Sequence, residues 1–189
     1  STRAELVAAR LSVSRGARVH PSAVIEASLL LPGAVVEAGA IVRGSILGAG
    51  ARVEALAICE GSVLGPGAVV QRQALSRYCV LGPRAMLGGT TQLSVLGPGS
   101  SLKAGSFAMD QGLSGSVRVR VGGQLRAAPL GLAGCYLGRD TLVGSGVWIA
   151  PGRQLRSGLV VLGPQALTDP SVPTDARLVS VVDGKLEPR

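Results

Sequence analysis

A repeat of 17 residues constrains the fold of this chain more than any other feature of its sequence. Four segments that read approximately Leu-Gly-Pro-Gly-Ala begin at Leu30, Leu47, Leu64 and Leu81. Self-similarity of this kind is typical of repeat proteins, in which one unit cannot bury its apolar side alone and must stack on its neighbours. Within each repeat, aliphatic residues recur at steps of six, six and five, and these anchor positions are Val13, Val19, Ile25, Leu30, Val36, Val42, Leu47, Val53, Leu64 and Val70.

Six residues are enough for one short strand and one tight turn, so three such units close a triangular coil of about 18 residues. The anchor side chains point into the coil, and the small residue four places after each anchor packs at a corner. Glycine supplies the backbone conformations that the turns need. The sequence therefore predicts an all-β, parallel β-helix of about seven coils. In this fold, Leu30, Leu47, Leu64 and Leu81 lie directly above one another.

The composition fits a narrow interior built from small aliphatic side chains. Hydrophobic residues make up 47% of the chain, but its only aromatic residues are Phe107, Tyr78, Tyr136 and Trp148. Glycine does not recur at every third position, which excludes collagen, and the mean hydropathy of +0.41 argues against disorder. No stretch of about 18 apolar residues is free of charge and glycine, so no membrane span is predicted.

The repeat is interrupted twice. Residues 88–92 depart from it, and Leu96 restarts it after 15 residues instead of 17. Residues 106–134 lose it altogether, and within them the alternating pattern of residues 117–126 around Gly122-Gly123 predicts a β-hairpin that projects from the coil. The six-residue step then returns at Leu137, Val143, Ile149, Leu155 and Val161.

The two ends differ from the repeat. Thr2-x-x-Glu5 before apolar residues matches a capping box and predicts a short helix over residues 3–10, with a frayed terminus as the alternative. The C-terminal segment carries three prolines and an Asp183-Gly184 turn, so we expect it to leave the coil and fold back on itself or on a neighbour. The predicted organisation is an N-terminal cap or linker at 1–12, the β-helix at 13–166 and a C-terminal tail at 167–189.

Charge and cysteine usage limit the partners and the compartment. The formal net charge is +8, and all of the 19 basic residues except Lys103 and Lys185 are arginine, which suits an anionic small molecule. The arginines are scattered singly, without a basic run or interleaved aromatic residues, which argues against nucleic-acid binding. Three cysteines without a Cys-x-x-Cys motif or a preceding secretory segment predict reduced, partly buried thiols in a cytoplasmic protein: Cys59, Cys79 and Cys135.

With its Leu-Gly-x-Gly-Ala-x-Val repeat, the chain resembles the hexapeptide-repeat transferase superfamily over residues 13–166. The resemblance implies a left-handed parallel β-helix and a homotrimer. Residues 62–68, Ser-Val-Leu-Gly-Pro-Gly-Ala, are similar to the C-terminal domains of sugar-phosphate nucleotidyltransferases, and above all to the acetyltransferase half of the bifunctional N-acetylglucosamine-1-phosphate uridylyltransferase. This implies acetyl or acyl transfer in sugar-nucleotide metabolism with acetyl-CoA as candidate donor, or an accessory domain that follows an upstream nucleotidyltransferase domain.

The same family places its catalytic histidine in a Lys-Ala-Gly-His stretch, followed by a hairpin excursion and an Ile-Gly-Asp-Asp-x-x-x-Gly-Ser run. In this chain Lys103-Ala104-Gly105-Ser106, the excursion at 106–134 and residues 137–145 take these three places. Ser106 stands where the family has its histidine. The resemblance therefore implies a transferase-like domain that lacks the usual catalytic base.

Acyl transfer to an amine or hydroxyl needs a general base, for which histidine is the usual choice. The only histidine is His20, at an outward place of a regular repeat, and one histidine per chain cannot supply a three-histidine zinc site. No metal site is therefore expected. The remaining catalytic candidates are Asp110, which could act as a base if it is partly buried, and Ser106, whose alternative role is that of a small turn residue.

Candidate substrate-binding residues lie nearby. Lys103 could hold a phosphate or a phosphopantetheine arm, and Arg118, Arg120 and Arg126 could form a cationic lip on the hairpin. A solvated lysine and a polar outer hairpin face are the alternatives. Trp148 is a candidate for a subunit contact or for adenine stacking.

Three function classes remain open. The first is an acyltransferase-type domain with an unusual or lost base, which predicts a cleft between subunits near residues 103–126. The second is a non-catalytic β-helix that trimerises and supports an upstream nucleotidyltransferase domain. The third is a scaffold protein whose stacked coils are themselves the function.

Overall fold

A computed structural model describes residues 12–112, 115–163, 178–182 and 185–188. Within these residues every regular element is a β-strand, and most of the strands form three parallel sheets that enclose a triangular prism. The predicted parallel β-helix is confirmed, with about eight coils rather than seven, and its form is consistent with the left-handed winding that the resemblance implies. The helix predicted at 3–10 lies outside the described residues.

We name the three faces A, B and C in the order in which the chain meets them. Face A consists of Ser12–Val13, Leu29–Leu30, Ile46–Leu47, Val63–Leu64, Val80–Leu81, Val95–Leu96, Tyr136–Leu137 and Gln154–Leu155. Face B consists of Arg18–Val19, Val35–Val36, Arg52–Val53, Val69–Val70, Met86–Leu87, Ser101–Leu102, Leu142–Val143 and Val160–Leu162. Face C consists of Val24–Glu26, Ile41–Arg43, Ile58–Glu60, Leu75–Arg77, Thr90–Gln92, Phe107–Ala108 and Trp148–Ile149.

A column of leucines runs along the inside of face A. Leu30, Leu47, Leu64 and Leu81 are direct partners in the parallel register and are at most 1% exposed, as the 17-residue repeat predicts. The column continues through Leu96, Leu137 and Leu155. At the other end, the anchor Val19 is 38% exposed, and its one strand partner among the described residues is Val36.

Small residues close the corner between faces A and B. Ala51 and its counterparts Ala34, Ala68 and Ala85 are fully buried, in agreement with the predicted fourth place after each anchor. The N–H of Ala51 donates to the carbonyl of Gly48 (3.0 Å), which closes a tight turn. Gly50 in that turn has φ +66°, a left-handed conformation that glycine adopts without a Cβ penalty.

Serine hydroxyls close the corner between faces C and A, where the step is only five residues. Ser45 Oγ donates to the carbonyl of Arg43 (2.8 Å) and accepts a hydrogen bond from the N–H of Ser62 in the next coil (3.0 Å). Both contacts recur at Ser28, Ser62 and Ser94. The step of five residues is too short for the tight turn of the other corners. The serine hydroxyl therefore accepts the N–H that a backbone carbonyl accepts in those turns.

Charged side chains are distributed unevenly over the faces. Glu26, Arg43, Glu60 and Arg77 form a ladder at the end of the face C strands, with N–O distances of 2.8–3.5 Å. These ion pairs are largely exposed and contribute little to stability. Face A with its two corners carries no charged residue over residues 44–50, 61–67 and 93–99.

The predicted hairpin excursion is present, with strands Arg118–Val121 and Gln124–Ala127. It begins later than the predicted residue 106, because Phe107–Ala108 is still a face C strand that pairs with Thr90–Thr91 and Trp148–Ile149. The loss of the repeat at residue 106 is apparent only, since alanine takes the place of a larger aliphatic anchor at Ala108.

The tail forms two more strands. Leu178–Val182 extends face B parallel to Val160–Leu162, and Lys185–Pro188 pairs with it antiparallel. The described part of the tail therefore folds back on itself, which is one of the two predicted alternatives, but Leu178–Val182 continues face B instead of leaving the coil. The predicted Asp183-Gly184 turn lies outside the described residues.

The Ser45→Ala variant should unfold more easily than the wild type. It leaves the buried N–H of Ser62 without an acceptor, which costs about 1–3 kcal/mol. Ser45→Cys is the matched control, because Cys79 occupies the same column, and its loss should be smaller. Urea denaturation of both variants checks this, and an alanine variant as stable as the wild type would contradict the role of the serine column.

Candidate functional site

One coil of the prism is two residues shorter than the regular 17. Leu87 is in register with Val70, and Thr91 with Ser76, so the step from Leu87 to Thr91 is four residues, whereas the step from Val70 to Ser76 is six. The step from Thr91 to Leu96 keeps the usual five. Both missing residues therefore come from the corner between faces B and C, which consists here of Gly88 and Gly89 alone. We call it the short corner.

A groove of about 530 Å³ opens at the short corner. Above and below it, the full-length corners of the neighbouring coils provide the walls. Its lining residues are Arg72, Gln73, Gly88, Gly89, Thr90, Ala104, Gly105, Ser106, Phe107, Met109 and Trp148. The groove is thus a direct product of the 15-residue coil.

Glycine at both positions of the short corner permits its tight path. A Cβ on Gly88 would lie 2.9 Å from the backbone nitrogen of Ala104, and one on Gly89 would lie 3.0 Å from the carbonyl carbon of Ser106. Any side chain on Gly89 would also meet the carbonyl oxygen of Ser106. The neighbouring backbone can approach this closely only because both residues lack a side chain.

An aromatic pair forms one wall of the groove. Phe107 and Trp148 are strand partners on the outside of face C, and their ring centroids lie 6.4 Å apart at an interplanar angle of 63°. Trp148 is 68% exposed, so a broad aromatic surface faces solvent at the groove. Such a surface can stack on a planar ligand group.

Ser106 lines the groove, and its hydroxyl links two coils. It is 2% exposed, donates to the carbonyl of Gly144 (2.7 Å) and accepts a hydrogen bond from the N–H of Val147 (3.2 Å). The hydroxyl proton is therefore committed to a backbone carbonyl. This geometry corresponds to the turn role that the sequence left open.

Asp110 lies half-buried where the excursion leaves the coil. Its Oδ2 accepts a hydrogen bond from Gln92 Nε2 (2.8 Å), and its carbonyl accepts one from the N–H of Ala133 (2.9 Å). Asp110 thus joins the two ends of the excursion and directly follows the groove residue Met109. Among the described lining residues there is no histidine, aspartate or glutamate.

Lys103 is half-buried at the first place of the corner that follows the short corner. Its N–H donates to the carbonyl of Val143 (3.0 Å), and its side chain has no ion-pair partner among the described residues. Lys103 directly precedes the lining residues Ala104 and Gly105 in the chain but does not itself line the groove.

The structure does not bring the three hairpin arginines together at one lip. Arg126 pairs with Val119, so it lies on the hairpin face opposite to Arg118 and Arg120. Arg120 Nη1 donates to the carbonyl of Gly123 (2.8 Å), while Gln154 Nε2 on face A donates to the carbonyl of Arg120 (2.8 Å). None of the three arginines lines the groove. His20 is exposed in a different coil, with Nδ1 2.8 Å from Ser22 Oγ.

The three cysteines are free, buried thiols, in agreement with the sequence. Burial raises the pKa of Cys59 to about 12 and that of Cys135 to about 11, and it also raises the pKa of Cys79. None of them supplies a thiolate nucleophile near neutral pH.

The described residues contain no cluster of three or more histidine, cysteine or acidic side chains that could bind a metal ion. They also contain no helix long and apolar enough to cross a membrane.

Sequence reasoning missed the groove, although it located its cause. The shortened coil was visible as a step of 15, but its effect on the corner depends on which of the three steps loses residues. Arg72 carried no signal, because it stands at a regular corner. Phe107 and Trp148 are 41 residues apart in sequence. Because the excursion lies between them, the repeat does not show that they are strand partners.

The chain matches no protein-family model and no curated protein sequence. Among solved structures it is similar to a Bacillus cereus protein assigned as an acetyltransferase, with 11% identity, a TM-score of 0.38 and coverage of 76% of this chain and 71% of the other. It is also similar to a mutant of GDP-perosamine N-acetyltransferase from Caulobacter crescentus in complex with CoA and GDP-perosamine (17%, TM-score 0.26, 82% and 54%). A third is the acetyltransferase domain of PglB from Neisseria gonorrhoeae with acetyl coenzyme A (16%, TM-score 0.22, 94% and 56%).

This chain spans little more than half of the length of the latter two structures. None of the three is named as a nucleotidyltransferase, so the finer resemblance to nucleotidyltransferase C-terminal domains gains no support from them. TM-scores below 0.5 assign neither a family nor an activity to the chain.

The thiols of the native protein should resist modification at pH 8, and the fold should lose stability in alkali. Above pH 9.0, the ordinary pKa of a thiol, unfolded chains release thiol protons that the buried thiols retain, so the free energy of unfolding falls as pH rises towards about 11 or 12. Reaction with a thiol reagent and denaturation at several pH values measure both effects.

Cys59→Val is the control, since Val42 fills the same column one coil away. Because this variant lacks one buried thiol, its free energy of unfolding should fall less between pH 9 and pH 12 than that of the wild type. Native thiols that react at pH 8 as fast as unfolded ones would contradict the burial.

Proposed function

We propose that this chain is a transferase-type β-helix domain of sugar-nucleotide metabolism that binds an acyl donor, acetyl-CoA, in the groove at the short corner. The observation that carries the proposal is the groove itself, which combines an aromatic wall with one cationic lining residue, Arg72. Coenzyme A offers the matching groups, namely a planar adenine, several phosphates and an extended pantetheine arm. Arg72 and Lys103 are the phosphate-binding candidates, and Trp148 is the stacking surface.

In this proposal, Asp110 is the candidate base. Acyl transfer requires that a base remove a proton from the attacking amine or hydroxyl while the thioester carbon–sulfur bond breaks and a thiol leaves. Asp110 uses one carboxylate oxygen for Gln92, and its other oxygen has no partner among the described residues. Ser106 is the weaker candidate, because its proton is held by the carbonyl of Gly144.

The remaining features of the proposal concern the acceptor and the setting. Arg118, Arg120 and Arg126 are candidates for an anionic acceptor that approaches from the hairpin side. Three free, buried thiols fit a reducing compartment such as the cytoplasm. An upstream nucleotidyltransferase domain, which would also act in sugar-nucleotide metabolism, is the proposed partner of the β-helix.

Because Trp148 is the only tryptophan, its fluorescence reports directly on the groove. We expect saturable quenching by coenzyme A and acetyl-CoA, and none by phosphopantetheine, which lacks adenine. In calorimetry, Trp148→Ala should weaken coenzyme A binding about tenfold, since stacking on an aromatic ring contributes about 1–3 kcal/mol.

Trp148→Phe retains an aromatic ring and should retain most of the affinity. If the wild-type protein gives no heat with either acetyl-CoA or coenzyme A, the proposed donor is wrong.

A second candidate function, a non-catalytic trimerisation scaffold, is favoured by face A. Its outward residues Ile46, Val63, Val80, Val95 and Tyr136 form a continuous apolar stripe in which each is 39–47% exposed. Charged residues are absent from residues 44–50, 61–67 and 93–99 of this surface, and the cores of protein interfaces are depleted in charge in the same way. We propose that face A packs against further copies of this chain in a homotrimer.

Val63→Asp should convert the homotrimer to monomers, because it buries a charge at the centre of the apolar stripe. Val69→Asp is the matched control, since Val69 is an outward valine of the same coil on face B. Sedimentation velocity measures both variants. A monomeric wild type, or a Val63→Asp variant that remains trimeric, would contradict the role of face A.

A further inference from the structure

The regular corners between faces B and C show how the protein caps the amide at their second place. The N–H of Ala55 donates to Glu37 Oε2 (3.2 Å), and the N–H of Arg72 donates to Glu54 Oε2 (3.0 Å). In both cases the carboxylate stands at the first place of the preceding coil. The second-place amide of this corner therefore binds an anionic oxygen repeatedly.

The amide at the third place is paired as well. The N–H of Leu56 donates to the carbonyl of Ala38 (3.0 Å), and that of Gln73 donates to the carbonyl of Ala55 (3.2 Å). Here the acceptor is the second residue of the preceding corner. The corners at 37–40 and 54–57 thus each provide one carboxylate and one carbonyl for the coil that follows.

The short corner provides neither acceptor to the coil that follows it. Gly88 stands at the first place, where two earlier coils have Glu37 and Glu54 and the coil directly before it has Gln71, and the second place is missing. The amides that would use these acceptors belong to Ala104 and Gly105, and neither has a hydrogen-bond partner among the described residues. The side chain of Gln71 lies over Gly88 without a hydrogen bond to either amide.

These two donors line the groove, and the one charged residue among its described lining residues, Arg72, is positive. Ala104 and Gly105 lie on its surface together with Arg72, whose exposed guanidinium has no ion-pair partner among the described residues. Lys103 directly precedes Ala104. No acidic residue lines the groove, and the nearest one along the chain is Asp110, directly after the lining residue Met109.

We propose that the N–H groups of Ala104 and Gly105 bind an anionic oxygen of a ligand, either a carboxylate or a phosphate. The ligand oxygen takes the place that the carboxylates of Glu37 and Glu54 occupy in the regular corners. Arg72 and Lys103 add charge, because hydrogen bonds to an ionised acceptor are shorter and stronger than neutral ones. The anion site lies in the groove of the proposed function and rests on that proposal. It adds the chemical group of the ligand that enters the short corner.

The next coil offers a matched pair of control amides. Ser145 and Gly146 occupy the same second and third places, and they also lack hydrogen-bond partners among the described residues. They lie outside the groove. An effect of exposure alone would therefore be equal at both pairs, whereas an anion site would affect Ala104 and Gly105 only.

Amide chemical shifts of the full chain labelled with nitrogen-15 test the site, with sodium phosphate and sodium acetate as separate probes at constant ionic strength. We expect the Ala104 and Gly105 signals to shift along one saturating curve, while those of Ser145, Gly146, Leu56 and Gln73 stay constant. In the Arg72→Gln variant the same curve should shift to about fivefold higher anion concentration, since a nearby exposed charge contributes up to about 1 kcal/mol.

The two probes distinguish the two ligand groups. Saturation by phosphate alone identifies a phosphate site, saturation by acetate alone identifies a carboxylate site, and either result supports the proposal. No shift at Ala104 and Gly105, or equal shifts at Ser145 and Gly146, overturns it.

The outcome is separable from that of the proposed donor. Phosphate binding at Ala104 and Gly105 without any coenzyme A binding would keep the anion site and remove the donor. Coenzyme A binding without shifts at these amides would do the reverse.

Discussion

The structure depends on the contact between each inward side chain and its counterpart one coil away. On face A this contact continues from Leu30 to Leu155 without loss of register, although one coil is two residues short and an excursion separates Ala108 from Tyr136. Fully burying a leucine contributes about 1.5–3 kcal/mol, so a slip of one place along the column would be costly. The strands of the faces therefore keep their register, and the chain varies in length only at the corners and at the hairpin excursion.

This constraint explains where the candidate site lies. The short corner removes two residues without disturbing Leu87 or Thr91, which remain stacked on both sides. The excursion enters after Ala108, one coil further on. The coil of Ser101–Ala108 thus lies between a deletion and an insertion. At its corner between faces B and C, the amides of Ala104 and Gly105 lack the partners that their counterparts have in the coils of Ala55 and Arg72. In a prism with few polar residues inside, such a corner is the place where a ligand can meet unpaired donors.

Sequence reasoning predicted the prism well, because every repeat contains the same pattern of buried aliphatic residues at fixed steps. The leucine column, the small corner residues and the buried thiols all follow from this rule. The groove does not follow from it, because the groove results from the absence of two residues at the short corner. The hairpin arginines were grouped by their proximity in sequence, but cross-strand pairing places Arg126 on the opposite face. The roles proposed for Ser106 and Asp110 depend on contacts with Gly144 and Gln92 in other coils, which no pattern within their own repeat reveals.

The central claim is that the shortened coil creates the ligand site. Replacing Gly88-Gly89 by Gln-Arg-Gln-Ala, a copy of residues 71–74, restores a corner of regular length, and circular dichroism would establish that the variant folds. Calorimetry with coenzyme A then gives the decisive measurement. Our account predicts binding by the wild type and none by the folded variant, and equal affinity of the two proteins would contradict it.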